Sequence, residues 1–270
     1  MEPSSTTAKV KSGGLAKRVF SALVILPVTM VPVWLGGEAF LGLLAVLAVL
    51  SCLEWATISG ESRRWVGAAL AVLVLAGTYG LHQYPLPIAI WGGLALFVIG
   101  GFLGIRSGRT TALLTGFGAV YMSVAFYAAW HLRVSGDGLA TFLWLCAMVV
   151  MTDVGAYAAG KTIGGAKLAP KISPNKTWAG LIGGMLASSL AAVCFAAYLE
   201  KPLVLFAVVG ASVTIVAQMG DLLESSMKRR AGVKDSSHLI PGHGGVLDRL
   251  DGFLSASIWL FLLLLYSNGL

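Results

Sequence analysis

Near the C-terminal end of the chain, four aspartates and a run of cations fall within thirty-odd positions. Asp221 is followed by Lys228, Arg229 and Arg230, then Lys234 and Asp235, then Pro241-Gly242-His243-Gly244-Gly245, and finally Asp248, Arg249 and Asp251. Asp248 and Asp251 are three residues apart, so a helical turn would place both carboxylates on one face. Asp221 closes an apolar run and enters the same layer. Clustered carboxylates repel one another unless a cation lies between them. Hard oxygen ligands of this kind suit Mg²⁺, which completes its shell with water and substrate phosphates. Asp251 alone reads more readily as an acid at a helix N-terminus; it is the set Asp221, Asp248 and Asp251 that points to a metal. Whether a second cation shares the acidic site is left open. Gly242, Gly244 and Gly245 let the backbone approach a ligand closely, with N–H groups turned to phosphate oxygens, although a flexible turn would look the same. Lys228, Arg229, Arg230 and Lys234 could neutralise phosphate charge, and each could equally be a topological signal.

A second stretch carries a similar mixture: Thr152-Asp153-Val154-Gly155-Ala156-Tyr157, Gly160-Lys161, then Lys171-Ile172-Ser173-Pro174-Asn175-Lys176-Thr177. Asp153 lies inside an apolar run, where a carboxylate is costly enough to mark a functional site. Glu54, near the end of the second apolar run, carries the same argument more weakly, because its side chain could reach the interface.

The elements that must position these groups are membrane helices. The chain has 270 residues, of which 57% are hydrophobic and 11% charged, against about 25% charge in soluble domains. One soluble core of this length cannot hide that much apolar surface. The 34 glycines fit the same class, since glycine allows close approach of membrane helices. Apolar runs predict nine spans at 19–35, 39–59, 65–81, 86–105, 111–130, 139–160, 178–198, 203–220 and 252–268, with Pro27 and Pro32 kinking the first. The expected organisation is an all-α polytopic membrane protein: a cytosolic tail at 1–18, N-terminal helices over 19–138, and a catalytic region over 139–270 with cytosolic loops at 160–177 and 221–251. Cys52, Cys146 and Cys194 sit in apolar runs without metal-ligand spacing and read as small buried hydrophobes.

The net charge of +7 does not imply nucleic acid, because the basic residues are scattered through short loops. With the N-terminus inside, all of the 19 Lys and Arg except Arg133 and Lys201 fall on the cytosolic side. That asymmetry supports both the span count and the direction. Arg63 and Arg64, in a short loop without a motif, read as topological only. Trp34, Trp65, Trp130 and Trp178 near span ends read as interfacial anchors.

The pattern from Ser225-Ser226-Met227-Lys228-Arg229 through Lys234-Asp235 to Pro241-Gly242-His243-Gly244-Gly245-Val246-Leu247-Asp248-Arg249-Leu250-Asp251 resembles the signature of phosphatidate cytidylyltransferases, also called CDP-diacylglycerol synthases. Asp153 to Tyr157 and Ser173 to Thr177 resemble the same family's second motif. The sequence departs from the family at Val154, where Thr is commoner, and at Ala179, where Glu is commoner. Motif-level likeness covers roughly residues 150–253; the N-terminal half shares a hydrophobic pattern and the Glu54-Trp55 pair. The resemblance implies that CTP and phosphatidic acid give CDP-diacylglycerol and pyrophosphate, with Mg²⁺, in the cell (inner or plasma) membrane, with the site facing the cytoplasm. It implies Asp221, Asp248 and Asp251 around the metal, and Lys228, Arg229, Arg249 and Lys176 on phosphates. His243 and its glycines would shape the nucleotide loop or meet the leaving pyrophosphate. Asp153, Lys161, Ser173, Asn175, Thr177 and Lys234 complete the expected binding set. A homodimer is carried as an open expectation.

Two rival classes make different demands. An ion or anion transporter needs polar residues along a path through both leaflets, and the outer loops here hold few. A CTP-dependent kinase of a lipid alcohol needs a base for the hydroxyl proton. The charge asymmetry predicts that a cysteine at Ser267 reacts with a membrane-impermeant thiol reagent in intact cells and that one at Ser237 does not; the reverse pattern would overturn the orientation.

Overall fold

In lipid every backbone N–H and C=O must find its partner inside the protein, which restricts an apolar chain of this kind to helices wherever it crosses. The computed structural model describes residues 13–267. They form α1 Gly13–Leu35, α2 Gly37–Ile58, α3 Arg64–Gln83, α4 Leu86–Gly104, α5 Arg109–Val134, α6 Gly138–Thr162, α7 Trp178–Tyr198, α8 Leu203–Arg230 and α9 Leu247–Tyr266. Between α6 and α7 lies a small antiparallel hairpin of β1 Lys167–Ala169 and β2 Ser173–Thr177. Among the described residues, eight helices (α2 to α9) are long and apolar enough to cross a membrane, and α1 adds a shorter apolar stretch, Leu23–Leu35. The chain is an all-α polytopic membrane protein.

Three boundaries differ from the sequence reading. Helix α8 does not stop at residue 220 but runs to Arg230, so Asp221, Lys228 and Arg229 stand on a rigid element and the long loop shrinks to residues 231–246. Helix α9 starts at Leu247, not 252, which places both Asp248 and Asp251 in its first turns. Of the expected tail, residues 1–12 lie outside the described residues, and the rest belongs to α1. Both Pro27 and Pro32 lie within α1, which is continuous to Leu35.

The buried core falls in two adjoining clusters. One gathers Phe40, Cys52, Trp55, Leu70, Met122 and Phe142 from α2, α3, α5 and α6. The other gathers Trp144, Leu145, Met148, Val213, Ala256 and Leu260 from α6, α8 and α9. Trp55 also donates its indole N–H to the Leu114 carbonyl at 2.9 Å. Gly118 faces that ring so closely that any Cβ there would overlap it. Arg133, one of the two basic residues expected outside, is structural: its guanidinium donates to the carbonyls of Val33 at 2.7 Å and Trp34 at 3.1 Å, closing the open end of α1.

The C-terminal half is held by small residues, because lipid tails supply no hydrophobic drive between helices and close backbone contact must replace it. Helices α6 and α7 meet through Gly155 and Gly183, and α8 joins through the Thr152–Thr214 hydroxyl pair at 2.7 Å. A Cβ at Gly155 would run into the Gly183 carbonyl and stand 2.6 Å from the Ala187 Cβ. Gly155→Val should therefore destabilise the detergent-solubilised protein by about 1–3 kcal/mol, the usual cost of overpacking. Gly80→Ala, with open space beside it, should be neutral. Thermal unfolding of the two variants checks this; equal midpoints would contradict it.

Candidate active site

Extending α8 past the apolar run brings Lys228 inside the protein, where only 8% of it is exposed. Its Nζ lies 2.5 Å from Asp248 Oδ1 and 3.0 Å from Glu224 Oε1. An ammonium at that depth needs counter-charge, and here it has two carboxylates. Asp248 spends its other oxygen on three donors: the Ser236 amide at 2.9 Å, the Ser236 hydroxyl at 2.9 Å and the Gly245 amide at 2.7 Å. Among the described residues, Glu224 has no hydrogen-bond partner in good geometry beyond its ion contact with Lys228. The sequence reading passed over Glu224; its signal was the i,i+4 spacing to Lys228, which a helix continued past Asp221 makes into a pair.

Glu54 turns inward as well and is 5% exposed. It accepts hydrogen bonds from the hydroxyls of Ser236 and Ser237 and from the amides of Val246 and Leu247. The long loop is thus anchored to α2, far away in sequence. Because Ser237 is engaged in this way, the exposed Lys234 is the better position for a labelling cysteine.

The glycine loop is a tight turn. Ile240 and Gly244 form an isolated antiparallel bridge, and Gly242 and Gly244 have φ of 79° and 86°, values a residue with a Cβ adopts only under strain. A Cβ on Gly245 would overlap the Ser236 hydroxyl, and one on Gly244 would lie 2.6 Å from Asp248 Oδ2. His243 Nδ1 lies 2.8 Å from the hydroxyl of Ser21, which also donates to the Pro241 carbonyl at 3.2 Å. The first helix is therefore docked on the loop.

Two cavities meet at this end of the bundle. An acidic one of about 270 Å³ is lined by Asp153, Asp221, Asp248 and Asp251 with Lys228 and Arg249. A second, of about 490 Å³, is lined by the glycine loop, Lys234, His238, His243 and again Arg249. Asp235 and Arg249 border both, so Arg249 stands where a ligand reaching from one to the other must pass. The arrangement can hold a polyanion on the loop side and a cation on the acid side.

Not every expected site residue comes to these cavities. Lys176 arrives through the hairpin and pairs with Asp221 at 2.6 Å. Thr177 is instead the N-cap of α7, its hydroxyl accepting from the Gly180 amide at 3.0 Å. Arg229 points back to the hairpin, donating to the Ile172 carbonyl at 3.2 Å. Lys161 lies exposed against Tyr157. Ser173 and Asn175 sit on β2 and border neither cavity. Arg63 is not merely topological. It pairs with buried Glu61 at 2.6 Å, and its hydrogen bond is the main reason the Glu61 carboxyl is pulled down to about 2.

Nor do Asp221, Asp248 and Asp251 form a ready-made cage: among the described residues, no three His, Cys, Asp or Glu side chains converge closely enough to hold a metal. Asp248 is spent on Lys228, Ser236 and Gly245. The donor set still fits Mg²⁺, which is commonly bound by one or two carboxylates with water and substrate phosphates. Asp221 and Asp251, with Asp153 alongside, offer oxygen-only ligands on one polar cavity.

A bundle of membrane helices that gathers carboxylates and a glycine-rich cationic loop at one end defines a membrane-embedded enzyme acting on phosphates. Residues 16–267 match the model of the cytidylyltransferase family, and the chain belongs to that family. It is 34% identical over 258 residues to the phosphatidate cytidylyltransferase of Brucella suis, covering 92% of each chain. It is 35% identical over 271 residues to that of Pseudomonas aeruginosa, covering 94% of this chain and 98% of the relative. A protein of the same name from Bacillus subtilis is 39% identical over 149 residues, about half of each chain.

The buried cluster predicts a separation of stability from chemistry. Lys228→Gln leaves Asp248 and Glu224 buried without their cation and should lower stability by about 3–5 kcal/mol, the cost of breaking a buried pair. Arg64→Gln, with no such partner among the described residues, should change little. Thermal unfolding in detergent reads the difference, and an unshifted midpoint for Lys228→Gln would show that the cluster is not structural.

Proposed function

We propose that the chain joins CTP to phosphatidic acid, giving CDP-diacylglycerol and pyrophosphate, at the cytoplasmic face of the cell membrane. The observation that carries this reading is the pair of cavities sharing Arg249, one acidic and one built from the glycine loop. Family membership and the names of the relatives agree with it. The distribution of Lys and Arg supports placing the loops inside.

In this reading a phosphatidate oxygen attacks the α-phosphorus of CTP in line, one P–O bond forms, and the bond to the bridging oxygen breaks to release pyrophosphate. The attacking oxygen is already anionic, so no residue need remove a proton. What remains is to bring two anions together and to offset charge in the transition state. Loop amides and Lys234 would hold the triphosphate, and Arg249 would hold the phosphate that passes between the cavities. Asp153 is exposed on α6 beside exposed Val150, Val154 and Tyr157, an apolar flank suited to lipid chains. Lys176, paired with Asp221, has phosphate as its alternative partner. Mg²⁺ held by Asp221 and Asp251 would supply Lewis-acid charge to the phosphoryl oxygens. Lys228 serves differently from the expectation, as the internal counter-ion that fixes Asp248.

Purified protein incubated with radiolabelled CTP and phosphatidic acid vesicles should form labelled CDP-diacylglycerol and pyrophosphate only with Mg²⁺. Asp221→Asn and Asp251→Asn should fold and lose about 100-fold or more in turnover. Phosphorylation of a lipid alcohol with release of CDP would replace this reading with the kinase alternative.

A further inference from the structure

Glu54 lies on α2, outside both segments that carry the chemistry, yet it accepts hydrogen bonds from the active-site loop and from the start of α9. Its Oε1 receives the Ser237 hydroxyl at 2.6 Å and the Val246 amide at 3.0 Å; its Oε2 receives the Leu247 amide at 2.7 Å and the Ser236 hydroxyl at 2.9 Å. The Val246 and Leu247 amides, one on each oxygen, can only donate, so a carboxylate matches both and a carboxamide, whose NH2 would face one of them, cannot. Both are open amides at the start of α9, where the cap residue itself provides no side-chain bond. A negative group there also suits the positive end of the helix. The other two partners, Ser236 and Ser237, lie within the same loop, ahead of the glycine turn.

We infer that Glu54 is a positioning residue for the reaction: by gripping the loop within its span and at its junction with α9 at once, it sets the glycine turn between them and the first turn of α9. The Ser236 hydroxyl lies 2.9 Å from both Glu54 Oε2 and Asp248 Oδ2, and its single proton serves one of them at a time. Asp248 already receives the Ser236 and Gly245 amides on that oxygen, so the hydroxyl proton is needed most by Glu54. The fit tolerates no extra atom: a Cβ on Gly245 would stand 2.5 Å from Glu54 Oε2. Without the grip, Asp248 and Lys228 would keep their ion pair. Arg249, Asp251 and the loop amides would then lose their fixed place relative to the nucleotide.

This rests on the cytidylyl-transfer reading, and the test uses one readout that does not. In full-length protein, Glu54→Gln should raise KM for CTP about tenfold or more and speed hydrogen exchange across residues 231–247, with α3 and α5 protected as before. Glu54→Asp, a carboxylate one methylene shorter, should recover part of both. Unchanged KM with unchanged loop exchange would overturn the proposal, as would faster exchange throughout the chain with KM unaltered. If the wild type makes no CDP-diacylglycerol but Glu54→Gln still loosens only 231–247, the activity is refuted and the grip of Glu54 on the loop stands.

Discussion

Everything at the loop end depends on an ammonium that has been taken out of water. Lys228 is buried between Asp248 and Glu224, and a charge at that depth is tolerable only while its partners stay put. That requirement ties α8 to α9 and fixes Asp248, whose second oxygen gathers Ser236 and Gly245. The loop therefore has one low-energy path between the two helices. Asp251, one turn further on, faces the cavity that Asp221 and Asp153 also line. The aspartates divide the work by environment: Asp248, with both oxygens engaged inside the protein, builds the site, whereas Asp251 and Asp221, whose partner Lys176 can turn to phosphate, line the cavity and are available to ligands.

The membrane explains why this is done with polar bonds and small residues. Helix association in lipid gains little from apolar burial, so α6, α7 and α8 approach through Gly155, Gly183 and the Thr152–Thr214 pair. The same economy appears where Arg133 closes α1 and where Ser21 meets His243. Several buried polar groups are matched across helices that are far apart in sequence, so the N-terminal helices take part in building a site whose recognisable pattern lies mainly in the C-terminal half.

Much of this was legible in the sequence. Apolar run length gave the helices to within a few residues, because lipid thickness dictates span length. The boundaries that failed, at Arg230 and Leu247, are those where a helix continues into polar residues, a continuation that hydropathy cannot register. The carboxylates and the glycine turn were readable from residue type and spacing, and the family from the resemblance of its motifs. What spacing could not reveal was which charges neutralise one another. Lys228 and Arg63 looked like free cations, yet buried acids claim both; Thr177 looked like a ligand and is a helix cap. Glu54 was undervalued for the same reason, since its partners arrive only when α2 packs against the loop and α9; Glu224 was missed because its i,i+4 partner Lys228 shows only once α8 continues past Asp221.

The central claim is the division of roles among the aspartates, and Mn²⁺ as a spectroscopic stand-in for Mg²⁺ tests it most directly. Electron paramagnetic resonance titration in the presence of CTP should show Mn²⁺ affinity falling about tenfold or more for Asp221→Asn and Asp251→Asn, since each removes a ligand charge. Asp248→Asn, compared over the fraction that remains folded, should bind Mn²⁺ nearly as the wild type does while unfolding at lower temperature. Full loss of Mn²⁺ binding in Asp248→Asn, with binding intact in the other two, would contradict the account.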